Sequence, residues 1–260
     1  WEGFVFINLD PEPSQTLQEY LGEAAETLDG YPFAETSSQS YCFRTVLNAN
    51  WKLVKDAFQE VCHTPFQHHR SLPDGFVSKE NPYTHVIDMR LYGPHGRASL
   101  FGNHDHVPSP VQALAYAHGS TLVSSVFSGE SEATAPVGVN PTESEHWAFE
   151  LTVFFPCFFV GVTEGNYFAH QFLPIDIDHT QVEITAYFPK AQNLAQRFSQ
   201  EYSRVIFRDI FLEDGRQLEE TQSMLSSGAH SSFPLKDEEL LVRQSHHAVQ
   251  RMVDGHGIMP

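Results

Sequence analysis

The chain is poor in basic residues. Its 260 residues include 15 Lys and Arg against 33 Asp and Glu, a formal charge of -18 near neutrality with the 15 histidines counted as neutral. A surface of that sign repels a phosphate backbone and acidic lipid headgroups alike, which argues against nucleic-acid and membrane-surface partners. Cysteine is also scarce. Cys42, Cys62 and Cys157 are odd in number and stand at no C-x-x-C spacing, which excludes a disulfide framework and a Cys-rich zinc site and fits a reducing cytoplasm. Long apolar runs are missing: the longest, Leu151 to Val162, is broken by Pro156 and falls short of the roughly 20 residues that span a bilayer. Trp1 to Pro11 lacks the basic leader and small-residue cleavage site of a signal peptide. With no G-x-S-x-G, P-loop, G-x-G-x-x-G or H-E-x-x-H either, the common hydrolase, nucleotide-binding and zinc-protease chemistries lack their defining residues. The chain opens without Met, so we expect it to be cut from a longer protein.

What is present suffices for a large core: 41% apolar residues, among them 21 Phe, 9 Tyr and 3 Trp. Alternation predicts a strand at Gly3–Leu9, and runs rich in β-branched and aromatic residues between Gly- and Pro-bearing turns predict strands at Ser40–Leu47, Thr84–Leu91, Arg97–Gly102, Trp147–Phe155, Phe158–Val162, Tyr167–Leu173 and Gln181–Phe188. Helices are expected at Thr16–Leu28, from Asn50 until Pro65 ends the run, from Lys190 to about Ser226 with a pause near Gly215, and from Asp237 to Val253. The fold class is therefore α+β, an antiparallel sheet of six or seven strands wrapped around a long C-terminal helix and enclosing an aromatic-lined pocket, all within one domain, residues 1–260. Asp105 to Ser144, weakly periodic and rich in small residues, is expected to be a mobile lid.

The densest chemistry lies between Asn50 and His69. His63 follows Glu60 by three residues and so shares a helical face with it, and Pro65 turns the chain so that His68 swings back toward the same point. The alternative is a pair of histidines at a helix C-terminus, favoured by its dipole. Further on, the inward stripe Ile210, Asp214, Leu218, Thr221, Leu225 contains one acid, Asp214, whereas Glu213 shares a face with Asp209, Gln217 and Glu220 and reads as solvated. A buried carboxylate needs a partner, and a metal would supply one; an exposed acidic turn is the other reading. Two histidines and a carboxylate make a facial triad that leaves octahedral positions open, as non-haem Fe(II) oxygenases require.

Asn50-Trp51-Lys52 followed by Glu60-x-x-His63-x-x-x-x-His68 resembles the iron-binding signature of the catalytic domain of Rieske-type ring-hydroxylating oxygenase alpha subunits. Gly3 to Pro11 resembles the strand by which those subunits leave their Rieske domain, and Asp214-x-x-x-x-Glu219-x-x-Gln222 resembles their late carboxylate motif. The resemblance implies a helix-grip fold of the START/Bet v1 type, with His63, His68 and Asp214 ligating mononuclear Fe(II). It implies that Glu60 couples electrons or protons from a neighbouring subunit's Rieske centre, and that Asp56 and Ala57 lie near iron and substrate. The family more often has Asp at the position of Glu60 and Tyr at that of Cys62. Rieske ligation needs Cys-x-His and Cys-x-x-His pairs, absent here, so the [2Fe-2S] cluster would belong to a domain outside this chain. The expected activity is O2-dependent mono- or dioxygenation of a hydrophobic, aromatic substrate, in a homotrimer fed by an NAD(P)H-dependent reductase or ferredoxin. The alternatives are an apolar-ligand binding module without catalytic metal and a zinc hydrolase with Glu60 as base. His104-Asp105-His106 could recruit a metal but reads as an ordinary loop run, His246-His247 on the final helix face solvent or pack on the sheet, and Cys157 reads as a core residue in an apolar strand.

Overall fold

A computed structural model of the protein describes residues 1–72, 74–119, 138–163, 165–230, 232–255 and 257. Helices α1 (Leu17–Glu26) and α2 (Phe33–Thr36) precede strand β1 (Gln39–Leu47), helices α3 (Trp51–Ala57) and α4 (Thr64–Gln67), and strands β2 (Asp88–Tyr92) and β3 (His95–Phe101). Helix α5 (Pro110–Tyr116) is followed by β4 (Trp147–Phe154), β5 (Phe158–Val162), β6 (Tyr167–Pro174), β7 (Thr180–Phe188), α6 (Leu194–Ser226) and α7 (Leu240–Val253). The seven strands form one antiparallel sheet in the order β1-β7-β6-β5-β4-β3-β2. It is the expected α+β architecture: β2 to β7 meander, and β1 closes the edge beside β7.

Alternation splits the sheet into two apolar faces. In β7, Val182, Ile184, Ala186 and Phe188 face a core shared with Phe207, Phe211 and Leu218 of α6. On the opposite face Trp147, Phe154, Val160, Val162 and Tyr167 pack under α1 and α2. That second face also holds a buried polar network. Glu150 accepts from Arg97 Nη1 (2.7 Å), Ser99 Oγ (2.9 Å), Trp147 Nε1 (3.3 Å) and the Asn140 backbone N–H (3.1 Å), while Arg97 Nη2 reaches Asp88 at 2.6 Å.

Several expected elements differ. Gly3–Leu9 has no ladder partner: Gly3 lies in a turn, Phe4 and Phe6 pack on Phe158 at 4.9 and 5.5 Å between centroids, and Val5, Ile7 and Leu9 are exposed. β2 starts at Asp88 rather than Thr84, because the Asn81 side chain accepts from His85 N–H and donates to His85 O, both at 2.8 Å, and folds 81–85 into a turn. The helix from Asn50 stops at Ala57, where Phe58 and Gln59 close tight i→i+3 bonds to Lys55 and Asp56. Pro65 lies in the first turn of α4 instead of ending α3, at a position where a missing N–H costs nothing. Cys157 lies in the turn between β4 and β5, not in a strand.

α6 runs 33 residues without a pause at Gly215. That glycine is buried where the helix crosses β1, and a Cβ there would meet Leu47 Cδ2 at 3.2 Å. Within the expected lid, α5 carries the sequence signature of a capped helix, Ser109 and Gln112 with Pro110 at the start, and it is tied to α6 by Ser199 Oγ donating to Ala115 O at 2.7 Å. Residues 120–137, the middle of that segment, lie outside the described residues. Among the described residues no helix is long and apolar enough to cross a membrane.

Removing one partner of a buried ion pair strands the other charge. Glu150→Ala should lose about 3–5 kcal/mol of unfolding free energy, read from denaturant midpoints; a loss below about 1 kcal/mol would place the burial of Arg97 outside the protein's stability.

Candidate metal centre

Two motifs set the site's frame without touching it. The β1–α3 turn is docked on α6 by Glu219, whose Oε1 accepts from the backbone N–H (2.9 Å) and Nδ2 (2.8 Å) of Asn48, and by Gln222 Oε1, which accepts from Asn50 N–H at 2.9 Å. Asn50 also caps α3 by accepting from Lys52 N–H (3.0 Å) and donates to Ile177 O (2.6 Å). The acids and amides one and two turns beyond Asp214 thus hold the chain that leads to the histidines beside it.

The loop between α3 and α4 pairs Glu60 with His63, as the helix from Asn50 to Pro65 was expected to do. Glu60 Oε2 accepts from His63 N–H at 3.1 Å, its Oε1 receives His63 Nδ1, and the wound turn of α4 brings His68 back toward His63. Three atoms converge. His63 Nε2 and His68 Nε2 are 3.3 Å apart, and they lie 3.5 and 3.2 Å from Asp214 Oδ1. Asp214 and His68 are buried; His63 is half-buried. This is the group of potential metal ligands found among the described residues, and the His104-Asp105-His106 run is not part of it.

Glu213, expected on the solvated face, is instead half-buried against His68. Its Oε2 accepts from His68 Nδ1 at 2.8 Å and from Ser71 Oγ at 2.7 Å, and its backbone carbonyl accepts from Gln67 Nε2 at 2.8 Å. Only α4 lying over this turn of α6 creates that environment, so helical periodicity alone missed it. Asp56 accepts from His246 Nε2 (2.5 Å) and Gln59 Nε2 (3.3 Å), tying α3 to α7, and it is absent from the cavity wall that Ala57 and Glu60 help to line. His246 is accordingly a clasp between helices rather than a free surface group.

The donor chemistry tests whether a metal fits. Each imidazole gives its Nδ1 proton to a carboxylate, Glu60 or Glu213, which leaves the Nε2 lone pairs of both rings aimed at each other and at an Asp214 oxygen. Three acceptors in van der Waals contact need a cation between them. Without a metal that cation is a proton: burial opposes charge on His68, but Asp214 and Glu213 outweigh it and hold its pKa above the ordinary histidine value. Ligands about 2.1 Å from one ion stand about 3.0 Å apart at right angles and about 3.4 Å apart at tetrahedral angles, so the observed triangle fits one first-row divalent ion and leaves the cavity side open.

That cavity, of about 120 Å³, extends from His63, His68 and Asp214 into the space between sheet and α6. Its wall is largely apolar, with Phe58, Phe76, Phe149, Phe168, Phe207 and Phe211. His170 of β6 is its buried polar exception on the sheet, and desolvation alone pushes its pKa down to about 3.

Residues 17–255 match the family described as "Ring hydroxylating alpha subunit (catalytic domain)". The chain belongs to that family. Its fold is similar to that of the quaternary ammonium Rieske monooxygenase CntA in complex with an inhibitor, with a TM-score of 0.67 at 18% identity over 96% of this chain and 59% of that one. It is similar also to naphthalene 1,2-dioxygenase from Rhodococcus sp. bound to indole (TM-score 0.58, 16% identity, 95% and 63% covered) and to NdmA of Pseudomonas putida CBB5 (0.51, 12%, 84% and 51%). The chain thus spans less than two thirds of the length of these structures. No curated protein sequence matches it significantly.

Carboxylates behind metal-bound histidines contribute 10- to 100-fold to affinity. Glu213→Ala should weaken divalent-metal binding by roughly that factor in a chelator competition, whereas Asp56→Ala should leave it unchanged; equal losses would mean that Glu213 does not support His68. A second expectation concerns acid. Between pH 6.5 and 3 the unfolded chain protonates His170 while the folded chain does not, so folding stability falls as pH drops through that window and is untouched above it. Urea midpoints at pH 7 and pH 4.5 should therefore separate less for His170→Phe than for the parent protein, and an identical separation would refute the buried neutral imidazole.

Proposed function

We propose that this chain is the oxygen-activating catalytic domain of a Rieske-type oxygenase, holding one Fe(II) through His63, His68 and Asp214 and hydroxylating an apolar, aromatic substrate bound in the adjoining cavity. The observation that carries the proposal is the meeting of three lone pairs at the mouth of an aromatic-lined cavity, each imidazole already oriented by its own carboxylate. Bound there, Fe(II) would supply O2 binding and activation. The remaining work falls to the chain. Phe58, Phe168 and Phe211 exclude water and orient a flat substrate, Glu60 and Glu213 fix the imidazole tautomers, and Asp214 supplies the anionic ligand.

Substrate hydroxylation consumes O2, two electrons and two protons. The chain lacks Rieske-type Cys and His pairs, so we assign the electrons to a [2Fe-2S] centre on a separate domain, supplied by an NAD(P)H-dependent reductase or ferredoxin. Glu60, bonded to the more exposed of the two histidines, is the group we place on the electron and proton path, as a trimer would require if the neighbour's cluster lies on that side. Asp56 supports this wall indirectly through α3. A cytoplasmic enzyme of aromatic catabolism is the setting we infer. A metal-free binding module is disfavoured by the opposed lone pairs, which would gain nothing from an apolar ligand.

Anaerobic reconstitution with Fe(II) should give about one iron per chain, and His68→Ala and Asp214→Ala should lose it while keeping the circular dichroism of the parent. Histidine-independent iron, or a preference for zinc over iron under equal competition, would reject the oxygenase assignment in favour of the binding-module or hydrolase reading.

A further inference from the structure

One polar group in the cavity is left over by the metal centre. On β6 the side chains of Phe168, His170 and Phe172 share the inner face of the sheet, and His170 lines the same cavity as His63, His68 and Asp214. Its ring is surrounded by those of Phe58, Phe168 and Phe172, at 5.1, 5.2 and 5.9 Å between centroids. The residue is 8% exposed, and its Nδ1 is sealed from solvent with no hydrogen-bond partner. Among the described residues neither ring nitrogen makes a hydrogen bond, and because Nε2 is not sealed, the ring's small accessible area includes that atom and opens into the cavity.

Buried polar groups in native proteins are paired, and an unpaired one costs stability, so a lone imidazole in a wall of phenyl rings calls for a partner that arrives with the ligand. The tautomer follows from the same cost. An orphaned buried N–H is rarer than an under-satisfied acceptor, which places the lone pair on sealed Nδ1 and the proton on Nε2. The ring is neutral throughout the physiological range, because burial pushes its pKa far below 6.5.

We propose that His170 is the specificity-determining residue of the cavity: Nε2–H donates a hydrogen bond to the single acceptor atom of an otherwise apolar aromatic substrate, such as a carbonyl oxygen. The proposal rests on the reading of this cavity as the substrate site. It narrows that reading from aromatic compounds in general to aryl compounds with one neutral acceptor. Hydrocarbons of the same shape leave the donor unsatisfied, and a site built to pair with a polar group rejects the analogue that lacks it more strongly than an apolar wall rejects a missing methylene.

The test compares acetophenone with α-methylstyrene, which differ by a carbonyl oxygen against a methylene carbon. Calorimetry on the Fe(II)-loaded chain gives the ratio of their dissociation constants, and taking that ratio between protein variants cancels the different hydration of the two probes. Replacing the donor by His170→Phe should lower the preference for acetophenone about tenfold, the equivalent of one hydrogen bond. His170→Gln, whose amide reaches the place of Nε2, should retain most of the preference; His170→Asn, whose amide ends at the place of Nδ1, should not. A ratio that stays within about twofold across the parent and His170→Phe overturns the proposal. So does rescue by Asn rather than Gln, or failure of the parent protein to bind acetophenone. Iron per chain, measured on the same samples, keeps the two readings apart: full iron with an unchanged ratio sinks only the role of His170, whereas absent iron in the parent sinks the oxygenase reading.

Discussion

A carboxylate buried at the crossing of a long helix and a sheet is the constraint around which this protein is arranged. Asp214 cannot be left alone in an apolar interior, and the partners it is given are two imidazoles whose free lone pairs face it. With Glu60 and Glu213 behind those rings, three carboxylates surround two imidazoles. A divalent cation offsets two of those three charges, and a single proton offsets one. The electrostatics of the site therefore favour metal over solvent. The overall charge of -18 adds to the field that draws cations in.

Geometry of this kind requires α6 to lie close to β1 and the α3–α4 segment to lie close to α6. Gly215 provides the first approach by leaving room for Leu47. Glu219 and Gln222 provide the second by capping the backbone at Asn48 and Asn50. Spacing along one helix thus encodes both the ligand and the struts that bring its partners to it: Asp214 faces the core, and Glu219 and Gln222, five and eight residues later, face the incoming chain. A motif that reads as a ligand signature is mostly a docking signature.

The same distinction separates what was legible in the sequence from what was not. Runs of β-branched and aromatic residues between Gly- and Pro-bearing turns located all seven strands of the sheet, since strand composition is a local property of the chain. Gly3–Leu9 alternates, yet pairs with nothing, because alternation reports where side chains are buried and not whether an edge is free to receive a strand. Asp214 could be found as the acid on an apolar stripe. Glu213 could not, since its burial is made by α4 packing over it, a tertiary event that periodicity treats as solvent. The break after Ala57 was hidden for the opposite reason: Trp51, Val54, Phe58 and Val61 keep helical spacing, but Phe58 and Val61 reach the core from a tightened turn and a loop. His170 stood in plain view between two phenylalanines on one strand face. Its meaning depended on the cavity, which only the assembled sheet and helix enclose.

The two histidines beside Asp214 also depend on the fold in different ways. His63 is oriented by Glu60, three residues away in the same loop, a contact that survives wherever that loop keeps its shape. His68 is oriented by Glu213 on α6, so its tautomer is correct only when α4 is seated on the helix. Loosening the helix packing therefore frees His68 and Asp214 from one another while leaving the His63–Glu60 pair intact. The buried half of the site reports on tertiary structure, and the half-exposed half is the one that can respond to a neighbouring domain without disturbing the core. If the three groups hold a metal as proposed, this asymmetry makes the buried side the rigid one and leaves the outer edge for exchange with a partner.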